Sequence, residues 1–400
     1  MDGARFGGDS STWLEMTLEQ LLREPRAQMI ERAQTTFDRL AAPDHGSIIL
    51  FGAGPLGRQT LDGLRRAGIR PLAFVDNNPA LWGRLVDGLP VRAPTDAVQQ
   101  FGQSAAFVVT IYNGSSVRRQ LSSMGCRSIV PFAALYWKYA DCFIPCSGLE
   151  LPHRILDQVS EMRKGFEALS DNVSRREFCE QILWRVTLDY ATLSPPLDSR
   201  GIYFPDDLVI PLDNEVFVDC GAYDGDSARL FLRQRQNVFG RIVAIEPDPG
   251  NRSALQTWID SLSPDAKSRV VCLPYGVSDR DKAMSFQITN TAGTTMLGDR
   301  ADTTIECRRL DTVVSDLSPT FIKMDIEGAE TMAISGAERL LREHAPVMAV
   351  CVYHRCEHMW QIPALLHSIV PNYRLFLRRY AEECWETVCY AVPPGRLACS

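Results

Sequence analysis

No apolar run in this 400-residue chain approaches the roughly 20 residues that a membrane-spanning helix needs. The opening residues, M-D-G-A-R-F-G-G-D-S, lack the apolar core of a secretory signal. Positive charge is in deficit, with 42 Lys and Arg against 49 Asp and Glu and a formal net charge of −7. A general nucleic-acid binder shows a basic excess instead. Membrane and nucleic acid are therefore not expected partners, and the cytoplasm is the expected location. Cysteine itself is not scarce, at 12 residues, but paired cysteine spacing is. Cys220, Cys272, Cys351 and Cys389 stand singly in apolar context, which reads as buried thiols rather than a disulfide framework. Cys351, His354, Cys356 and His358 form one dense cluster. No second cysteine pair at ligand spacing accompanies it, so no metal is expected.

What the chain does contain is two successive patterns of alternating strands and helices, and its length argues for more than one core. Residues 1–45 read as a polar, glycine-rich opening, expected to be disordered over 1–10, followed by two short helices broken at Pro25. Residues 46–136 read as a small Rossmann-like α/β domain. Its first strand runs into G-A-G-P-L-G, a G-x-G-x-x-G pattern carried by Gly52, Gly54 and Gly57. The next strand ends in Asp76, near the spacing at which an acid meets the ribose in a dinucleotide site. One reading of these four residues is a nucleotide ligand, NAD or a nucleotide-sugar; the other is a module with a structural or docking role. The segment, including the G-L-P-V turn at residues 88–91, resembles the nucleotide-binding N-terminal domain of bacterial sugar acyltransferases. Residues 137–211 read as a helical connector, broken by Pro195, Pro196 and Pro205.

From residue 212 onward the pattern predicts strands over 216–219, 241–246, 270–274, 321–325 and 347–353, with helices between them. A late pair of strands follows over 373–378 and 386–392. The expected result is an open, mostly parallel sheet with the late pair at one edge. The first strand leads into D-x-G-x-x-x-G, which is not the dinucleotide spacing. The second ends in Glu246, placed to grip two ribose hydroxyls by charge-assisted hydrogen bonds.

Six segments carry a resemblance: V-D-C-G-A-Y-D-G (218–225), A-I-E-P-D-P (244–249), T-A-G-T-T-M (291–296), R-R-L-D-T-V (308–313), I-K-M-D-I-E-G-A-E (322–330) and V-Y-H (352–354). In this order they resemble the FkbM family of S-adenosylmethionine-dependent methyltransferases. The resemblance implies a class I methyltransferase fold and S-adenosyl-L-methionine as cofactor. It also implies methyl transfer, usually to oxygen, on sugars or hydroxyls of natural products and polysaccharides. The cofactor is expected to meet Asp219, Gly221, Ala222, Tyr223 and Gly225 at the first turn, and Glu246 with Pro247 at the ribose. Gly276 and Val277 are expected near the adenine, and Asp325 at the carboxyl end of the fourth strand.

An alcohol must lose its proton as it attacks carbon, and Asp325 and His354, at adjacent strand ends, are the candidate bases. Glu327 is a third candidate catalytic residue. Asp325 with Glu327 could also activate a diol through a divalent metal, though nothing in the spacing demands it. Thr294, Thr295 and Met296 are expected on a loop that closes over substrate. The acceptor is expected to be a small molecule or glycan, and the assembly a homodimer. The alternatives are an oxidoreductase using NAD(P) or a nucleotide-sugar at the N-terminal domain, and an N-methyltransferase of the same fold. No dehydrogenase-type acid and base accompany the first fingerprint.

Overall fold

Strands that are buried at nearly every position have cover on both faces, and the central strands of both main sheets are of this kind. The computed structural model describes residues 19–20, 22–41, 46–146, 148–287, 295–296 and 303–398. The expected disorder over 1–10 lies outside them. The chain forms two units. The first holds the chain up to Val159 together with Cys179–Pro195 and Ala381–Trp385; the second holds Ser160–Phe178, Pro196–Tyr380 and the chain from Glu386 on. Residues 137–211, read as a connector, are divided between the two.

In the first unit, β1 (Ile48–Phe51), β2 (Ala73–Val75) and β5 (Ala106–Val109) are buried throughout. With β3 (Leu85–Val86), β4 (Leu89–Arg92) and β6 (Ser128–Pro131) they form a six-stranded sheet in the order β3-β4-β2-β1-β5-β6. Every pairing is parallel except β3 with β4. The helix Pro55–Arg66 follows β1 so closely that a Cβ on Gly57 would lie 1.9 Å from the Gly52 carbonyl oxygen. The helix Arg26–Ala41 buries Met29, Ala33 and Phe37, at helical spacing.

In the second unit, β7 (Val216–Cys220), β8 (Arg241–Ile245), β9 (Val270–Leu273), β14 (Phe321–Met324) and β15 (Val347–Cys351) are parallel. The late strands β16 (Arg374–Arg379) and β17 (Thr387–Val392) join antiparallel, giving β16-β17-β15-β14-β7-β8-β9. This is a class I methyltransferase sheet. Its strand order reverses between β7 and β14, so their carboxyl ends flank the crevice where open α/β sheets bind ligands.

Helices do not fill all the gaps between the parallel strands. Between β9 and β14 the chain makes a second sheet from β10 (Gly276–Val277), β11 (Lys282–Gln287), β12 (Thr295–Met296) and β13 (Thr303–Arg308), then the short helix Leu310–Val313. The reason is legible in β13, where buried Ile305 and Cys307 alternate with exposed Thr304 and Glu306, a strand period rather than a helical one. Thr295 and Met296, expected on a loop, therefore pair with β11; Thr294 lies outside the described residues. Among the described residues no helix is long and apolar enough to cross a membrane, and the described cysteines form no disulfide.

Candidate active site

The first turn is set by a close approach. Gly221 follows β7 with φ of 77°, and a Cβ there would lie 2.0 Å from the backbone oxygen of Asp325. Only glycine lets the ends of β7 and β14 meet this closely. Gly221 N and Ala222 N both donate to the Ile245 carbonyl of β8, at 3.0 and 3.1 Å. Tyr223 takes a left-handed φ of 49°, and Gly225, at φ 94°, opens the helix Asp226–Gln234. Glu246 holds this turn from the β8 side. Its Oε2 accepts from Tyr223 N at 2.9 Å, while Oε1 accepts from Asp248 N at 2.9 Å and Asn251 Nδ2 at 3.4 Å. Burial pushes its carboxyl up against the pull of these donors. Oε2 keeps a second lone pair. Pro247, next in the chain, is half-buried, and Gly276 and Val277 are buried in β10 just after β9.

Asp219 is sealed, at 0% exposure. Its Oδ2 accepts from Ser227 Oγ at 2.8 Å, and Oδ1 lies 3.1 Å from Nζ of Lys323, its register partner on β14. Lys323 also donates to the Gly221 carbonyl at 2.7 Å. Burial pulls the Lys323 pKa down, but the Asp219 and Asp325 carboxylates outweigh it and hold the ammonium well above its usual range. Asp219, expected at the cofactor, thus braces the turn through Lys323.

Past the end of β14, Asp325 accepts from Tyr203 Oη at 2.9 Å on Oδ2 and from Tyr353 Oη at 3.4 Å on Oδ1. His354 Nε2 lies 3.2 Å from Asp325 Oδ1 and 3.7 Å from Glu327 Oε2. Its Nδ1 meets Oε1 of the fully buried Glu330 at 2.8 Å. That same oxygen accepts from Ile326 N at 3.0 Å and Gly328 N at 3.3 Å, and Oε2 lies 3.1 Å from His358 Nδ1. Glu330 opens a short helix, Glu330–Ser335, and its side chain folds back to organise the loop before it. Glu327 sits in that loop with φ of 55° rather than starting the helix.

The charges follow from this packing. Burial pulls the His354 pKa down, but the Glu330 charge, with Asp325 and Glu327, overcomes it and holds the ring well above its usual value. His354 is therefore an imidazolium with no lone pair to take a proton. An imidazolium can position a partner but cannot take its proton. Burial also pushes Asp325 up, yet the hydrogen bond from His354 and the Lys323 charge hold it well below the usual carboxylate range. Glu327 is raised, mainly by burial.

Asp325, Glu327 and His354 thus meet in one cluster, at the edge that also carries Gly221, Ala222, Tyr223, Gly225 and Glu246. Sequence reasoning missed Tyr203, Lys323, Tyr353 and Glu386 as members of this edge. The alternation K-M-D put Lys323 on the face of Asp325, but nothing in the sequence pointed to Tyr203. Gly52, Gly54, Gly57 and Asp76 belong to the first unit. There Asp76 accepts from Ala53 N at 2.9 Å and Asn78 N at 2.8 Å. Among the described residues no group of three or more His, Cys, Asp and Glu side chains could hold a metal ion; His354 and His358 turn their Nδ1 atoms to Glu330.

Residues 219–384 match the methyltransferase FkbM domain family. The second unit of the chain thus carries a methyltransferase FkbM domain. This methyltransferase shares its fold with the crystal structure of a methyltransferase FkbM from Methylobacillus flagellatus KT, with a TM-score of 0.71 and 21% identity over 96% of this chain and 99% of that one. A precorrin-6y C5,15-methyltransferase from Geobacter metallireducens GS-15 aligns with a TM-score of 0.29 and 14% identity, over 46% of this chain and 83% of that one. No curated protein matches the methyltransferase.

Proposed function

We propose that the methyltransferase uses S-adenosyl-L-methionine to methylate a hydroxyl of a sugar, glycoside or other natural-product or polysaccharide acceptor. One observation carries the reading: Glu246, bonded to Tyr223 N at 2.9 Å, links a glycine turn to the sheet edge that holds Asp325 and His354. The donor set suits the cofactor. Glu246 Oε2 has a lone pair for a ribose hydroxyl, buried Gly276 and Val277 offer an apolar wall to adenine, and an edge rich in carboxylates suits a sulfonium cation. When bound, the cofactor supplies a methyl group activated by positive sulfur.

The protein's own part is orientation and proton handling. Glu330 fixes the His354 ring, and His354, Tyr203 and Tyr353 fix Asp325. Held as an anion, Asp325 can accept a hydrogen bond from a hydroxyl beside the reacting one and so aim the acceptor oxygen at the methyl carbon, and such orientation supplies much of the acceleration in a displacement. A carboxylate-rich edge favours an alcohol, which needs its proton taken, over a neutral amine, which can attack first and lose its proton afterwards; N-methylation is the weaker reading. For the first unit we propose a nucleotide, NAD or the nucleotide-linked part of an acceptor, against Gly52, Gly54, Gly57 and Asp76. Residence in the cytoplasm and a homodimeric assembly complete the proposal.

Calorimetric titration with S-adenosylmethionine, S-adenosylhomocysteine, NADH and nucleotide-sugars tests it. Heat with the first two, abolished in Glu246→Ala, is expected. Heat with NADH alone would assign the protein to hydride chemistry instead.

A further inference from the structure

We infer that Glu386 is the general base of the transfer, the carboxylate that takes the proton of the acceptor hydroxyl. The inference rests on the O-methylation reading above and deepens it. Glu386 directly precedes β17. Val352 N donates to the Thr387 carbonyl and Tyr380 N to the Glu386 carbonyl, both at 3.0 Å. These bonds pin the residue beside the carboxyl end of β15, the edge that carries Asp325 and His354. Its φ of 53° is left-handed, a conformation that persists in a non-glycine residue only where its surroundings impose it, and such residues gather at functional sites. Tyr203, Tyr223 and Glu327 share that conformation at the same edge, with φ of 68°, 49° and 55°.

The other carboxylates of the edge are engaged. Asp219 faces Lys323, Glu330 faces two histidines and two backbone N–H groups, Asp325 accepts from two tyrosines and faces His354, and Glu327 lies against His354. The half-buried Glu386 carboxylate receives no hydrogen bond from any described residue. The charged groups facing it are Asp325, His354, Lys323 and Asp226. Burial first, then the Asp325 charge, push it up to about 7, against His354 and Lys323. A base is most effective when its pKa lies near the working pH. Asp325 is held too low for that, and His354 has no lone pair.

In the proposed step the acceptor oxygen bonds to the methyl carbon while the carbon–sulfur bond breaks with its electron pair going to sulfur. The hydroxyl proton passes to Glu386, which becomes a neutral carboxylic acid and later returns the proton to solvent. A base that takes this proton would be separated from the sulfonium by only one hydrogen bond and the reacting contact. Its ionisation should favour the cation by roughly tenfold or more, and should leave the neutral sulfur of S-adenosylhomocysteine indifferent.

Calorimetry on the full chain with S-adenosylmethionine and S-adenosylhomocysteine, from about pH 6 to pH 8.5, reads this directly. The preference for S-adenosylmethionine should rise by roughly that factor through neutrality in the wild type, be flat in Glu386→Gln, and return in Glu386→Asp. A slope that survives Glu386→Gln would overturn the assignment of Glu386 while leaving the cofactor reading standing. Failure of the wild type to bind S-adenosylmethionine would overturn both. Should Glu386→Gln not fold, infrared difference spectra of the wild type decide, because the absence of any carboxyl titrating near neutrality would also overturn the assignment.

Discussion

Glu330→Gln removes one negative charge from the most enclosed part of the site and changes little else. The native carboxylate is 0% exposed and meets His354 Nδ1 at 2.8 Å, two backbone N–H groups, and His358 Nδ1 at 3.1 Å. Glutamine keeps the shape and one acceptor oxygen, so Ile326 N and Gly328 N can stay satisfied. What disappears is the counter-charge of the imidazolium. A hydrogen bond to a charged group contributes about 1.5–3 kcal/mol, and breaking a buried ion pair costs about 3–5 kcal/mol. Two features keep the cost from the upper end. His354 can release its proton, and Asp325 and Glu327, at 24% and 33% side-chain exposure, still face Nε2.

A loss of about 3 kcal/mol is therefore expected, which for a unit of this size lowers Tm by roughly 6–12 °C. The pH dependence has a definite sign. Glu330 is depressed from the usual 4.5, because the His354 and His358 contacts outweigh burial. Its contribution is thus present above that value and lost as pH falls through its folded pKa. His354 is raised above 6.5, so its contribution is complete below 6.5 and lost as pH rises through its folded pKa. The difference between wild type and variant should be widest across neutral pH and narrow in strong acid and in alkali. Scanning calorimetry over that range, with nitrogen NMR of the histidine rings, measures both quantities. A wild-type His354 ring that is neutral at pH 7.5, or melts that coincide at pH 7, would refute the reasoning.

Lys323→Met leaves Asp219 buried without a counter-charge, and about 3–5 kcal/mol of stability should be lost. Combining it with Asp219→Asn should cost less than the sum of the single changes, as urea titrations in a double-mutant cycle would show; strict additivity would deny the pairing. Gly221→Ala places a Cβ 2.0 Å from the Asp325 carbonyl oxygen at a φ of 77°, so a large fall in Tm is expected, and native-like melting would mean the two strand ends can part.

Most of the sheet was legible because its strands are short apolar runs punctuated by glycine and acid, and a parallel strand buried on both faces leaves that mark. The sheet from β10 to β13 was not, because a connection between parallel strands is ordinarily a helix, and the alternation in T-T-I-E-C-R is only a few residues long. Asp325 and His354 were found by their places at adjacent strand ends. The state of His354 was not, since it depends on Glu330 folding back across a turn, a contact that no spacing rule encodes. Glu246 was expected to serve a ribose alone, yet it also caps Tyr223 N. Tyr203 reaches Asp325 from 122 positions away in the chain, which sequence patterning cannot register.

The N-terminal fingerprint divides its glycines between architecture and approach, and that division can be tested. Gly52 has a φ of 114°, and a Cβ on Gly57 would lie 1.9 Å from its carbonyl oxygen, so the fold needs both. Gly54 differs. Its φ of −77° and ψ of −169° suit any residue, and a Cβ there would meet nothing within 4 Å. It caps the helix Pro55–Arg66, a position where alanine costs at most about 1 kcal/mol. Packing therefore does not require glycine at 54, whereas a phosphate approaching the helix N-terminus would. Gly57→Ala should lower the Tm of the first unit whatever its function. Gly54→Ala should melt close to the wild type yet weaken binding of NADH or a nucleotide-sugar by roughly tenfold, about 1.4 kcal/mol. Calorimetry that finds no nucleotide bound by the wild type, or equal affinities in wild type and Gly54→Ala, would remove the nucleotide from this glycine turn.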